Sequence, residues 1–252
     1  MIDAPSLTLA GGAGVLGGAM NALAGGGSFA TMPTLIALGL PSTQANATSN
    51  VAVQPGAIAS AWTYRAGLAP IGGVAVRTLS VVTFLGGLVG SLLLVWTPAR
   101  AFDVIVPWLL LAATVAIALG RHAADWVASR FRAGPRAVMA GQALLGVYGG
   151  YFGGGVGMML TAMWGVLTGA HPAVLAAPRT LMLAVANSAA TIIFVVSGMV
   201  AWRYCLPMLA GSILGGWLGA LVGSRAPAWA IRGWTLLVTA VTTAVFFWRA
   251  YG

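Results

Sequence analysis

The chain has 252 residues, 60% of them hydrophobic and only 6% charged, with a mean hydropathy of +0.95. So little polar surface cannot cover a soluble domain of this size, and the composition predicts an all-α, polytopic helical membrane protein. The formal net charge of +9 comes from arginines alone, set against Asp3, Asp103 and Asp125. In a soluble protein that balance would suggest nucleic acid, but these arginines fall mostly between apolar runs, where they act as orientation signals.

Cutting the chain where Arg, Pro or Asp interrupts the apolar runs gives about eight segments that could cross a bilayer, each needing roughly 20 residues. They cover 7–38, 44–63, 70–95, 102–119, 137–168, 173–199, 204–224 and 228–250. The first carries Ala22-Leu23-Ala24, which imitates a signal-peptidase site; an acidic start without Arg, and the glycines that follow, argue against cleavage. It also carries Gly14-Val15-Leu16-Gly17-Gly18 and Gly25-Gly26-Gly27, matched later by Gly146-Val147-Tyr148-Gly149-Gly150 and Gly153-Gly154-Gly155. The chain therefore reads as two similar four-span halves, 1–119 and 137–252, joined by an Arg-rich cytoplasmic linker over 120–136. An even number of spans between the copies predicts that they point the same way; re-entrant glycine hairpins would change the count and permit an inverted relation. With the linker cytoplasmic, eight alternating spans place Arg65, Arg203 and Arg249 on its side and Arg100, Arg225 and Arg232 opposite, with both termini inside.

At 32 residues, the first span of each half would be roughly 48 Å long as one helix, against a hydrocarbon core of about 30 Å. The glycine triplets are the expected break points. A half-helix starting near Ser28, or near Gly157 in the second half, would offer free N–H groups and a positive dipole end to a small anion, with Ser28 and Thr31 as added donors. Gly86/Gly90 and Gly215/Gly219 read instead as close helix packing.

The span after each triplet holds polar side chains: Asn46, Thr48, Ser49, Asn50 and Gln54 in the first half, and Arg179, Thr180, Asn187 and Ser188 in the second. Asn46, Asn50 and Gln54 share one helical face. Each buried amide left unpartnered costs about 1–3 kcal/mol, so this stripe either bonds between helices or lines a hydrated path. Arg179 has no acid predicted at membrane depth; an oxyanion held by its planar fork is one partner, and snorkelling to the interface is the alternative.

These residues carry a resemblance. Gly25-Gly26-Gly27-Ser28 followed by Pro33 and Leu40-Pro41, Ala47-Thr48-Ser49-Asn50, Tyr64-Arg65, the Gly149-to-Gly155 segment, Ala177 to Asn187, and Ser197-Gly198 before Trp202 together resemble the TauE/SafE family over essentially the whole chain. Two positions depart from the family's habit: Ala47 stands where Gly is frequent before the Thr-Ser pair, and Pro precedes Arg179. The resemblance implies a bacterial inner-membrane carrier for sulfite, sulfoacetate or a similar organosulfonate. The expected site joins Gly25, Gly26, Gly27, Ser28, Thr48, Ser49, Asn50, Gln54, Gly153, Gly154, Gly155, Arg179 and Asn187, with no cofactor and no metal. The expected partners are a small anion and the lipid bilayer, without nucleic acid; homo-oligomerisation is left open.

Other motifs are discounted. Gly12-x-Gly14-x-x-Gly17 matches a dinucleotide fingerprint but lacks the acid about 20 residues on. Met158, Met159 and Met163 read as core packing rather than soft-metal ligands, and Cys205 is the only cysteine. With two His and three acids in the chain, no catalytic set is evident. Proton coupling would fall to His171, Asp103 or the substrate itself. The competing functional reading is a non-transporting subunit that anchors a partner, and a third is a carrier of cations or neutral solutes.

Overall fold

The computed structural model describes residues 4–128, 134–171, 174–223 and 228–252, without the side chains of residues 24, 120–128, 220, 222–223, 228–229 and 231. It is all-helical: α1 (Ala4–Ala24), α2 (Ser28–Ala37), α3 (Ser42–Tyr64), α4 (Val76–Trp96), α5 (Ala99–Ala128), α6 (Pro135–Tyr151), α7 (Val156–Thr168), α8 (Ala176–Val196), α9 (Trp202–Gly223) and α10 (Ala228–Tyr251). Four stretches are long and apolar enough to cross a membrane by length and composition: Val76–Trp96, Ala99–Leu119, Ala176–Val196 and Arg232–Tyr251. Hydroxyl and amide side chains dilute α3. The side chains at positions 121, 122, 125, 130 and 132 of the linker lie outside the described side chains, as does the arginine at 225.

Helix pairing follows the glycines. A Cβ on Gly14 would overlap the Met208 carbonyl, one on Gly18 that of Ser212, and one on Gly215 that of Val15, so α1 and α9 run parallel with their backbones in contact. The same arrangement joins α4 to α6, where a Cβ on Gly90 would overlap the Val147 carbonyl and one on Gly150 that of Gly87. Between apolar helices in lipid, close backbone approach of this kind supplies the dispersion contacts that hold a bundle together. Gly86, Gly90, Gly215 and Gly219 are packing residues, as read from the sequence.

The glycine triplets fold the chain back on itself. A Cβ on Gly27 would lie 3.1 Å from Asn21 Cβ, and one on Gly17 2.5 Å from the Thr31 methyl, so α2 descends beside α1 as a hairpin. In the second half a Cβ on Gly149 would lie 3.3 Å from Val156, and one on Gly141 3.0 Å from Met163, so α7 returns along α6. Gly25, Gly153 and Gly155 have φ of +74°, +76° and +74°, a left-handed conformation in which Cβ is strained, and this makes both reversals possible.

These reversals correct the expectation of parallel copies. Among the described residues each half has five helices, and the two pieces of its broken first span run antiparallel instead of end to end, so the second half begins in the opposite direction. Gln54 on α3 bonds to Ala184 on α8 while Asn50 bonds to Asn187, so the numbers rise on one helix as they fall on the other. The two copies are antiparallel, with α3 and α8 crossing between them, and the packing of α1 on α9 and α3 on α9 repeats as α6 on α4 and α8 on α4. The expected sidedness is corrected too. Arg65 follows the end of α3, whereas Arg203 opens α9, which runs parallel to α1 and α3; they therefore lie at opposite ends of the bundle. Arg249 lies beside Arg100, at the Arg203 end.

Candidate functional site

The two hairpin tips meet. A Cβ on Gly25 would lie 3.4 Å from Gly157 Cα and 3.4 Å from the Leu183 side chain, and one on Gly155 3.2 Å from the Phe29 ring at the start of α2. The N-terminal turns of α2 and α7 thus converge from opposite ends of the bundle. The second tip is pinned by Tyr148, whose hydroxyl donates to the Gly154 carbonyl at 2.8 Å and reaches the Leu109 carbonyl at 3.3 Å. Tyr148 was missed as a site residue; the signal is that it replaces Leu16 of an otherwise matching repeat.

Arg179 lies at this junction. It is in the first turn of α8, just after Pro178, where a missing N–H is tolerated. Its Cγ and Cδ run along Gly157, each 3.6 Å from where a Cβ would stand. The arginine stem therefore lies over Gly157 at ordinary van der Waals distance from a Cβ there. The residue is half-buried, and among the described residues its guanidinium has no carboxylate partner.

The amide stripe on α3 faces the second half. Asn46 Nδ2 donates to the Tyr151 carbonyl at 3.0 Å, Asn50 Nδ2 to Asn187 Oδ1 at 3.3 Å, and Gln54 Nε2 to the Ala184 carbonyl at 3.1 Å and Ser188 Oγ at 2.6 Å. Asn50 also touches the second tip, its Nδ2 lying 2.9 Å from where a Cβ on Gly153 would stand. The donors of all three amides are engaged, whereas Asn46 Oδ1, Asn50 Oδ1 and Gln54 Oε1 are buried without a hydrogen-bond partner. These unpartnered acceptors thus belong to α3, and the cation without a carboxylate partner among the described residues to α8.

Not every expected residue joins this group. Ser49 pairs with Thr31 at 2.5 Å, fastening α3 to α2, and Ser28 is buried at the head of α2. Thr48 faces away, its Oγ1 accepting the Ala201 N–H at 3.0 Å ahead of α9, because it sits two residues from Asn46 and Asn50 on the helical wheel. Met158 and Met163 pack on Gly26 and Gly141, as core methionines do. Asp103 lies away from this junction, between Arg100 and Arg249, and His171 is exposed in the connection between α7 and α8.

The frame is symmetric but its charge is not. Asn50 and Asn187 face each other, and eight residues before them stand Ser42 and Arg179 respectively. The serine is spent on the Ala99 carbonyl at 3.4 Å, so the second half alone brings a guanidinium to the centre.

Apolar helices enclosing buried amides, a half-buried arginine and two opposed glycine tips fit a multi-pass membrane protein. The chain belongs to the sulfite exporter TauE/SafE family, whose family model matches residues 10–246. It is similar to the "Probable membrane transporter protein YfcA" of Escherichia coli K12, 28% identical over 239 residues covering 94% of this chain and 88% of that protein. A "Probable membrane transporter protein" of Haemophilus influenzae is 27% identical over 225 residues, covering 89% and 88%. The "Probable membrane transporter protein ORF9" of a Sinorhizobium species is 28% identical over 217 residues, covering 84% and 80%. No solved structure matches.

Proposed function

We propose that the protein is an inner-membrane carrier of small sulfur-containing anions, such as sulfite, sulfoacetate or a related organosulfonate, working by alternating access around the meeting point of the two glycine tips. One observation carries this reading: Arg179, without a carboxylate partner among the described residues, stands at that junction. A planar guanidinium holds an oxyanion by paired charge-assisted hydrogen bonds. The free oxygens of Asn46, Asn50 and Gln54 suit a cargo that also brings a hydrogen-bond donor, such as hydrogen sulfite or a hydration shell. Purified protein in liposomes loaded with sulfite or sulfoacetate is expected to release them above protein-free background. If no small oxyanion crosses, the carrier reading fails and the partner-anchoring subunit takes its place.

The membrane arrangement follows from the hairpins. Each returns the chain to the end it came from, so the hairpins α1/α2 and α6/α7 add no net crossing, and α3, α4, α5, α8, α9 and α10 each carry the chain to the other end. Arg65, Arg77, Arg136 and Arg232 gather at the end where α5 leads into the linker, against Arg100, Arg203 and Arg249 at the other. By the positive-inside rule the linker end is cytoplasmic, and both termini face outward. A C-terminal alkaline phosphatase fusion is expected to be active and a C-terminal green fluorescent protein fusion dark; the reverse pair would restore cytoplasmic termini.

A further inference from the structure

A second polar site lies far from the hairpin tips. At the end of the bundle holding Trp96 and Trp202, the first turns of α5 and the last turns of α10 form a half-open cleft of about 210 Å³ lined by Arg100, Asp103, Val104, Phe246, Arg249 and Ala250. Its walls are held in place by aromatic contacts. The Tyr251 hydroxyl donates to the Val104 carbonyl at 3.1 Å and accepts from Trp108 Nε1 at 3.0 Å, while Phe247 stacks on Tyr251 and meets Trp108 edge-on. These contacts clamp the end of α10 to α5 without using either arginine.

The charges in the cavity do not cancel. Two guanidiniums flank one carboxylate, and among the described residues none of the three forms a hydrogen bond or an ion pair within 4.0 Å. Their sum is +1, so one monoanion would balance them. The rest of the wall is apolar, and Trp108 and Trp248, on the same two helices, are exposed, as in the aromatic belt at the level of lipid headgroups. We infer that this cleft binds the phosphodiester of an anionic phospholipid, with Arg100 and Arg249 on the phosphate oxygens and Val104, Phe246 and Ala250 against the glycerol and upper acyl chain. Asp103 limits the positive charge, so the site tolerates an empty state without strong repulsion. The assignment stands independently of which solute is carried.

The full chain in nanodiscs is the test. In mixed phosphatidylglycerol and phosphatidylcholine discs, native mass spectrometry is expected to show phosphatidylglycerol retained on the protein, and R100Q/R249Q to reduce that retention by at least about tenfold, as loss of charge-assisted hydrogen bonds implies. D103N should raise it. Both arginines are exposed, so the double variant should keep the wild-type melting temperature in pure phosphatidylcholine, which separates loss of binding from loss of fold. Equal retention by wild type and the double variant would overturn the assignment. Inorganic phosphate reproducing the lipid's thermal stabilisation in pure phosphatidylcholine would also overturn it, marking a site for a free anion instead.

Discussion

Replacing Arg179 by Ala is expected to abolish concentrative binding of the anion while leaving the protein folded. The guanidinium is half-buried with no carboxylate partner among the described residues, so its removal strands no buried countercharge. What disappears is a pair of hydrogen bonds to a charged ligand, each contributing roughly 1.5–3 kcal/mol. This converts to an apparent affinity weaker by about ten- to a hundredfold for each bond lost. Arg179→Lys should fall between, because an ammonium keeps the charge but not the fork. The measurement is flux against anion concentration in proteoliposomes, read separately as KM and Vmax. Wild-type kinetics in Arg179→Ala would remove this residue from the site and leave the hairpin tips to support an anion alone.

The second large effect concerns assembly. A methyl group on Gly215 would overlap the Val15 backbone, and a main chain cannot turn aside as a flexible side chain can. Forced overpacking of this kind costs about 1–3 kcal/mol, and more when backbone must separate from backbone. Gly215→Ala is therefore expected to lower the melting temperature in detergent clearly, and Gly90→Ala to do the same at the matching contact between α4 and α6. Gly56→Ala is the control. It lies within α3 with nothing within 4 Å of a new Cβ, so gaining helix propensity of up to about 1 kcal/mol should leave stability unchanged or raised. If all three behave alike, the glycine contacts do not hold the bundle.

The sequence revealed the elements better than their directions. Apolar runs and glycine triplets marked where helices lie and where they stop, because both depend on local chemistry. Whether a chain continues or doubles back after a break is decided elsewhere, by what the two arms touch. Gly17 against Thr31 and Gly149 against Val156 make the difference, and neither contact leaves a composition signal. From that single ambiguity came the mistaken parallel relation and the mistaken side for Arg203 and Arg249. Within the site, period 3.6 grouped Asn46, Asn50 and Gln54 on one face, and the structure joins all three to the second half. Adjacency in sequence was a poorer guide: Thr48 and Ser49 lie beside Asn50, yet they fasten α3 to other elements. Tyr148 could have been found by asking where the two repeats differ rather than where they agree.

That difference between the repeats has a kinetic meaning at one more place. Ser42 occupies the position in the first half that Arg179 occupies in the second, so under the proposed carrier reading the two routes to the junction are not equivalent, one passing a guanidinium and the other a hydroxyl. Detailed balance forbids such a carrier from pumping by asymmetry alone, and at equal concentrations net movement is zero. It can nevertheless saturate at different concentrations on its two faces, with the ratio of half-saturation constants offset by the ratio of maximal rates. The protein would then act as a valve that responds sharply to scarcity on one side and to abundance on the other, with the imposed gradient choosing the direction.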